Sequence, residues 1–513
     1  MIDLAKVLNN IPGFLRLPLL GSCLMALCLF EPDPAASAES RSIESMIEDS
    51  ETGAARAKIA REKAKTVRTG ESNYRQFCIH CHGPQGRGNG VASEYLFPLP
   101  RDLTSGIFKF RSTQTNTLPL DKDLFKTIKE GVPGTAMPAW GPVLSDEIIR
   151  ALVEYLKNFS DRFHRETPER EIEFGLEPPF DDMSVAKGKE LYKELRCYRC
   201  HGEEGGRAGF LEGKLKDNWG HDSYVYDLGL PDLYKRGASG GEIYKTLVSG
   251  MDGAPMGAYD YLSGLELWSL IHYLQSRFAE ETSLEAVPLQ KPVSFKVEGE
   301  IDIDPGNPVW EKIAAYQWKL VPIQTRKNPI TRVRMRSIHN EEKIAFFLEW
   351  KDPTPDRASE DGEVFMDAAA LQFAPEPSSP RETFPFFGMG HKGKRVNIWH
   401  WRADSRQIVG GKEGVSGKRV DPFREAAVEE ITSEGFGALI LQSLEQQDVS
   451  GKGVWEDGAW RLVLVRDLQT FGRDDIRFRN GGRVLLALAL WDGSNRDKNA
   501  NKMVSPWRLL EVK

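Results

Sequence analysis

Apolar and polar positions follow two different periods along this chain. Up to about residue 280, apolar residues recur every three to four positions in short stretches, which predicts amphipathic helices. From about residue 290 they alternate with polar residues, which predicts β-strands. We therefore expect a helical region followed by a separate β region. The predicted helices cover residues 71–77, 145–159, 186–195 and 263–278.

The β region contains several candidate strands separated by turn sequences. Asp361-Gly362 and Asp492-Gly493 are typical of tight turns between paired strands. Many short strands joined in this way predict an antiparallel sandwich or barrel, and nine of the 12 tryptophans lie in this region, which predicts a large aromatic core. The predicted strands cover residues 315–321, 331–338, 344–350, 368–373, 396–401, 438–444, 461–466 and 484–491.

Four of the six cysteines lie in two Cys-x-x-Cys-His motifs, at residues 78–82 and 197–201. This spacing is the attachment signature of c-type haem, in which two thiols form thioethers and the histidine binds the iron. A zinc site is the first alternative, but zinc needs four ligands and no third cysteine lies near either motif. A thioredoxin-like redox motif is the second, but it does not need the histidine.

The two motifs belong to a duplication. Adding 119 to the numbers of the first motif gives the second, and the same offset aligns the glycine-rich loop at 131–140 with the loop at 250–259. Each loop carries a methionine 55 residues after its motif histidine, Met137 in the first copy and Met256 in the second. Core filler would not explain this equal spacing, so both methionines are candidate iron ligands.

A helix, a haem motif, a long loop with a methionine and a closing helix together resemble the class I cytochrome c fold, twice in tandem over about residues 68–280. The resemblance implies two covalently bound haems c, each with histidine and methionine as axial ligands. Met251 is the alternative ligand in the second copy, and His80, a spacer in the first motif, is expected to face solvent. The implied attachment residues are Cys78, Cys81, Cys197 and Cys200, and the implied iron ligands are His82, Met137, His201 and Met256.

The N-terminal segment predicts export. Lys6 and Arg16 precede an apolar run at 17–30, and a stretch rich in alanine ends at Ala38. This pattern predicts a secretory signal peptide cleaved after Ala38 and hence a periplasmic protein, in agreement with the haem motifs. Alternatively, the residues before Cys23 weakly resemble a lipobox, which would make Cys23 a lipid anchor. No transmembrane span is expected in the mature chain.

Composition is ordinary for a globular chain, with 40% hydrophobic and 28% charged residues. A net charge of −7 without a basic stripe argues against nucleic-acid binding. The expected organisation is a multidomain α + β chain of two mainly α-helical cytochrome c domains followed by a β domain. Its expected segments are a signal peptide at 1–38, a charged helical tether at 39–69, cytochrome c domains at 70–162 and 184–280, linkers at 163–183 and 281–295, and the β domain at 296–513.

Short motifs follow one another through the β region: Trp350-Lys-Asp352, residues 365–373, Met389-Gly390, residues 396–401 and Trp491-Asp492-Gly493. In this order they resemble the haem b subunit of ethylbenzene dehydrogenase, over about residues 290–513. The same domain serves as the cytochrome subunit of dimethyl sulfide dehydrogenase, selenate reductase and chlorate reductase, and occurs with nitrite oxidoreductases, within the type II dimethyl sulfoxide reductase family of molybdoenzymes.

This resemblance implies a haem b whose iron is bound by a methionine and a lysine, and Met389 matches the methionine. Near the expected lysine position, before Gly481-Gly482, the chain has Arg477 and Arg479. Arginine stays protonated and is a poor iron ligand. Three alternatives stay open: a lysine elsewhere (Lys452 or Lys502), a histidine (His391 or His400), or a sandwich that has lost the haem and serves as a docking module.

Haem iron with two strong axial ligands has no open position for chemistry, so we predict no catalytic residues. The expected function is electron transfer between a molybdenum oxidoreductase and the respiratory chain, as its cytochrome subunit or partner. The implied partners are a molybdenum-containing catalytic subunit, an iron–sulfur subunit, and soluble or membrane electron carriers. The alternative is a freestanding haem enzyme, a peroxidase or a dehydrogenase. A sandwich that binds carbohydrate through its tryptophans is a third reading.

Overall fold

The computed structural model describes residues 43–206, 209, 211, 213–278, 290–357, 365–375, 384–403, 428–472 and 474–513, with side chains from residue 55 onwards except that of Leu444. The chain divides into one unit that ends at Arg61 and a second unit from Glu62 to Lys513. The predicted signal peptide and Cys23 lie outside the described residues. None of the described helices has the length and apolarity to span a bilayer.

Helices dominate the described residues before position 279. They are α1 (Ile43–Phe77), α2 (Ile79–His82), α3 (Asp121–Glu130), α4 (Asp146–Leu156), α5 (Arg162–Arg165), α6 (Asp182–Glu194), α7 (Tyr198–His201), α8 (Gly240–Ser249) and α9 (Gly264–Gln275). The four helices predicted from periodicity are confirmed, within α1 and as α4, α6 and α9. Helices α3 and α8 were not predicted.

The closing helices of the two copies begin at the same kind of cap. The Ser145 hydroxyl accepts a hydrogen bond from the backbone of Ile148 at the start of α4. Ser263 does the same for Glu266 at the start of α9, and the Glu266 carboxylate accepts from the Ser263 backbone at 2.9 Å. Such caps satisfy backbone groups that a helix end leaves unpaired, and they fix where each helix starts.

Strands dominate from residue 290 onwards. They are β1 (Val293–Lys296), β2 (Tyr316–Lys319), β3 (Val321–Pro322), β4 (Arg332–His339), β5 (Lys343–Lys351), β6 (Ala368–Pro375), β7 (Val396–Arg402), β8 (Val428–Ser433), β9 (Leu439–Leu441), β10 (Ser450–Glu456), β11 (Ala459–Asp467), β12 (Arg483–Trp491), β13 (Met503–Val504) and β14 (Arg508–Val512). Every predicted strand is present, and the multidomain α + β fold class is confirmed.

Within the described residues the strands form one sheet, in the order β10-β11-β5-β4-β1-β14-β12-β6-β7-β8-β9, with β2, β3 and β13 at its side. The pairing is antiparallel except for β1, which runs parallel to both β4 and β14. The sheet is therefore mixed rather than purely antiparallel.

The sheet folds over itself into two layers. Phe346 in β5 contacts Phe373 in β6 and Trp399 in β7, with ring centroids 5.5 and 5.7 Å apart, although four strands separate β5 from β6 in the sheet. Trp350 likewise lies 6.3 Å from Trp401. These contacts form the aromatic core of the sandwich that the tryptophan count predicts.

One outer face of the sandwich is covered by the first cytochrome-like region. In β6, Leu371 and Phe373 point into the sandwich core, whereas Ala370 and Ala374 join an apolar cluster with Phe77 at the end of α1. Because both faces of β6 are buried, its sequence is almost continuously apolar instead of alternating. Small alanine side chains let the helical region approach the sheet closely.

Candidate haem sites

The same tyrosine contact holds both Cys-x-x-Cys-His motifs. The Tyr74 hydroxyl in α1 donates to the backbone oxygen of Gly83 at 2.7 Å, and Tyr192 in α6 donates to Gly202 at the same distance. Gly83 and Gly202 have φ values of 76° and 77°, a conformation that favours glycine. Each motif therefore forms one helical turn (α2 and α7) that is tied back to the preceding helix.

The motif cysteines are available for covalent attachment. None of the four takes part in a disulfide bond. Cys78, Cys81 and Cys197 pack partly buried among apolar side chains, and burial raises the thiol pKa to about 12 for Cys78 and Cys81 and about 11 for Cys197. Cys200 lines a cavity beside Cys197. Two thiols on one turn facing an apolar space fit attachment of one haem at each motif.

Each motif histidine is partly buried, and its Nδ1 atom lies near the backbone of a neighbouring loop. His82 Nδ1 lies 3.2 Å from the backbone oxygen of Arg101, which would orient Nε2 towards an iron atom. His201 Nδ1 is buried without a hydrogen-bond partner, near the backbone of Tyr226. Burial lowers the pKa of both rings, that of His201 to about 4, which favours the neutral form that metal ligation requires.

The methionine loops of the two copies share one backbone pattern. The Val132 amide donates to the Met137 oxygen at 2.9 Å, and the Met251 amide donates to the Met256 oxygen at the same distance. Met137 packs in the same apolar cluster as Cys78 and Cys81. Met256 lines the same cavity as the second motif, and Met251 also lines it.

The second motif opens onto a cavity of about 640 Å³, a volume within the range of cofactor pockets. Lys109 and Lys235 line it, and burial lowers the pKa of both, that of Lys109 to about 8. A haem carries two propionate groups, which would offset such buried cations. The cavity, the His201 ring and the two thiols together fit a haem c at this site.

The side chain of Met389 meets the side chain of Lys502, 113 residues later in the chain. Lys502 Nζ lies 3.4 Å from Met389 Sδ, only 5% of Lys502 is exposed, and its ammonium lies 4.6 Å from the Trp491 ring centroid. Burial lowers the Lys502 pKa to about 8, which favours the neutral amine that a metal requires. Met389 has a φ of 80°, unusual for a residue other than glycine.

The other candidate ligands of the β domain lie elsewhere or are engaged. Lys452 pairs with Asp304 at 3.1 Å and is 38% exposed. His391 Nδ1 accepts the Phe386 amide at 3.1 Å. His400 faces Glu429 at 3.5 Å. Lys502 is therefore the basic side chain that the fold brings to Met389.

The spacer position of His80 predicted a side chain that faces solvent, but in the structure the side chain is only partly exposed. Its ring stacks on Phe386 with centroids 4.7 Å apart and lies 4.9 Å from the ring of His391. Phe386 lies three residues before Met389 and belongs to the apolar cluster shared with the first motif. The prediction was wrong because the β domain covers this turn. The first haem motif thus contacts the loop that carries Met389.

The same motif also reaches the second haem cavity, through Arg101. The backbone oxygen of Arg101 faces His82, whereas its guanidinium lies 4.6 Å from the ring centroid of Trp219 in the second domain. Arg101 and Trp219 both line the second cavity. The first site lies between the other two along this chain of contacts.

Comparison with known families agrees with this arrangement. Residues 65–156 match the family described as cytochrome c oxidase, cbb3-type, subunit III, residues 185–277 match cytochrome c, and residues 307–430 and 429–502 match ethylbenzene dehydrogenase. The chain thus contains two cytochrome c domains followed by a domain of the ethylbenzene dehydrogenase type. The cytochrome c domains imply haem c as a cofactor.

Individual relatives are similar to part of the chain. The chain is 30% identical over 178 residues to a putative respiratory nitrate reductase haem subunit of Haloferax mediterranei, covering 35% of this chain and 55% of the relative. It is 26% identical over 164 residues to the chlorate reductase subunit gamma of Ideonella dechloratans, covering 32% and 57%. The chain thus spans about half the length of these curated relatives. A chain of the reducing HAO-like protein complex of Kuenenia stuttgartiensis is 34% identical, with coverages of 41% and 96% and a TM-score of 0.40.

Proposed function

We propose that this chain is a periplasmic electron-transfer subunit or partner of a molybdenum oxidoreductase, with two haems c and one haem b. The contact between Lys502 and Met389 carries the proposal, because it brings a thioether and a buried amine together in the domain that resembles a haem b subunit. Haem supplies one-electron transfer when bound. The chain's own residues hold, orient and shield the groups.

The proposed haem c attachments are Cys78 with Cys81 and Cys197 with Cys200. The residues that would hold the iron atoms are His82 with Met137, His201 with Met256, and Met389 with Lys502. A thioether ligand stabilises ferrous over ferric iron, so the two haems c have higher potentials than sites with two histidines. The apolar side chains packed against each motif would strengthen this preference, because a low dielectric disfavours the charge of the oxidised centre.

The proposed order of the relay is haem b, first haem c, second haem c. His80 of the first motif stacks on the loop that carries Met389, and Arg101 links His82 to the wall of the second cavity. A molybdenum-containing catalytic subunit, with an iron–sulfur subunit, would exchange electrons at the haem b end. A soluble or membrane carrier would exchange them with the second haem c.

The test is haem extraction from matched variants. In the unmodified protein, acid–acetone should extract one haem and leave two covalently attached haems, as measured by pyridine haemochrome spectra. Lys502→Ala and Met389→Ala should lose the extractable haem and keep both covalent haems. Lys452→Ala is the control and should retain all three, because Lys452 pairs with Asp304 on the surface.

Two results would contradict the proposal. An unmodified protein without extractable haem would remove haem b from the relay and leave the sandwich as a docking module. Steady turnover of peroxide or an alcohol by the purified chain alone would instead indicate a freestanding haem enzyme.

A further inference from the structure

Three aspartates from different strand ends meet at one edge of the sandwich. Asp352 follows β5, Asp367 precedes β6 and Asp492 follows β12, and one carboxylate oxygen of each lies within 4.8 Å of the others. They are 1%, 0% and 6% exposed. Like charges at such a distance and depth repel strongly unless a cation or protons compensate them.

Among the described residues, no ion pair within 4.0 Å involves any of the three aspartates, and the nearby Arg326 acts on Asp492 only from a longer distance. The neighbouring Asp497, by contrast, pairs with Arg326. Burial and the adjacent carboxylates raise the pKa of Asp352 and of Asp367 to about 7.

One oxygen of the cluster also lacks a hydrogen bond. Asp352 Oδ2 is buried without a partner, although Oδ1 accepts from the Thr354 amide at 3.2 Å. The carboxylate of Asp367 beside it is held in place, because Oδ1 accepts from the Gly493 amide at 2.9 Å and Oδ2 accepts from the Trp460 indole at 3.0 Å. A buried acceptor that neighbouring donors leave unpaired, inside a rigid set of oxygens, points to a ligand.

We propose that Asp352, Asp367 and Asp492 bind one calcium ion. The donor set consists of oxygens alone, which suits a hard divalent cation rather than zinc or copper. Calcium accepts irregular oxygen cages, whereas magnesium keeps several waters in a strict octahedron, for which a site this buried has little room. The ion would tie the ends of β5, β6 and β12 together and is independent of electron transfer.

The full-length, haem-loaded protein tests the site. After purification in calcium, elemental analysis should find one calcium per chain in the unmodified protein and in Asp448→Asn, and almost none in Asp352→Asn or Asp367→Asn. Asp448 is a matched control, because it belongs to the other acidic cluster, with Glu430 and Asp475, in which Arg466 pairs with Glu430 at 2.9 Å. Loss of the ion from Asp448→Asn as well would overturn the assignment.

Thermal unfolding of the unmodified protein gives an independent readout that needs no variant. After treatment with EGTA, millimolar calcium should raise the melting temperature of the β domain by on the order of 5 °C. Magnesium at the same concentration should give a clearly smaller shift. Failure of the stripped protein to bind calcium, or an equal response to magnesium, would overturn the calcium site.

Discussion

At the scale of single residues, two methionines, Met251 and Met256, line the cavity at the second Cys-x-x-Cys-His motif, and the backbone distinguishes them. The Met251 amide donates to the Met256 oxygen, which repeats the bond between Val132 and Met137 in the first copy. Met251 therefore occupies the position of a valine, a residue that cannot bind iron. Met256 occupies the position of the candidate ligand Met137. The duplication assigns the role by structural equivalence.

This assignment predicts different spectra for two similar substitutions. In a background of Met137→Leu and Met389→Ala, which also removes the proposed haem b, only the second haem c contributes the weak long-wavelength band that a thioether bound to ferric iron produces. Adding Met256→Leu should abolish that band and lower the potential of the second haem. Adding Met251→Leu should change neither. Absorption spectra of the oxidised proteins and a redox titration measure both effects, and a band that disappears with Met251 instead would exchange the two roles.

At the scale of secondary-structure elements, the sequence predicts what local patterns encode. Helix α4 has strong apolar periodicity and α9 is apolar over most of its length; both begin at a serine cap, and both were predicted. Helix α8 begins with two glycines, which are weak helix formers, and was missed. Strand β10 was also missed, because it contains Gly453, and glycine is disfavoured in strands. The fold needs glycine there, since a Cβ atom would lie 2.2 Å from the Trp401 ring.

The residues of the candidate sites also differ in whether local sequence patterns reveal them. Both haem c motifs and their methionines are visible in the sequence, because thiols, histidine and loop are local and repeated. The partner of Met389 is not, since only the fold brings Lys502 across 113 residues to the sulfur atom. The stacking of His80 on Phe386 was missed for the same reason.

The prediction at this scale concerns two tyrosine clamps, which are the hydrogen bonds of Tyr74 in α1 to Gly83 and of Tyr192 in α6 to Gly202. Tyr74→Phe or Tyr192→Phe removes one buried hydrogen bond to Gly83 or Gly202 and should cost about 1 kcal/mol in each domain. Thermal unfolding followed by the haem Soret band measures this loss. Tyr261→Phe is the control, since Tyr261 is 69% exposed and should change nothing. Unchanged melting of both clamp variants would mean that the clamps do not stabilise the motifs.

At the scale of the whole molecule, a buried arginine joins the two cytochrome domains. Arg111 in the first domain is fully buried, donates to the backbone oxygen of Ser249 at 2.7 Å and pairs with Asp252 at 2.9 Å. Asp252 also accepts from Thr115 and from the amide of Asn116. Polar groups buried between two domains fix one relative orientation, because any other arrangement leaves them unpaired.

Arg111→Met should therefore uncouple the domains. It keeps much of the side-chain volume but leaves Asp252 without its cation, at a cost of about 3–5 kcal/mol. We expect a lower melting temperature of the cytochrome domains and slower electron transfer between the two haems c, measured by calorimetry and by flash photolysis. Arg75→Met removes an exposed pair with Glu71 and should cost less than about 1 kcal/mol without changing the rate. Equal effects of the two variants would show that Arg111 does not set the spacing of the relay.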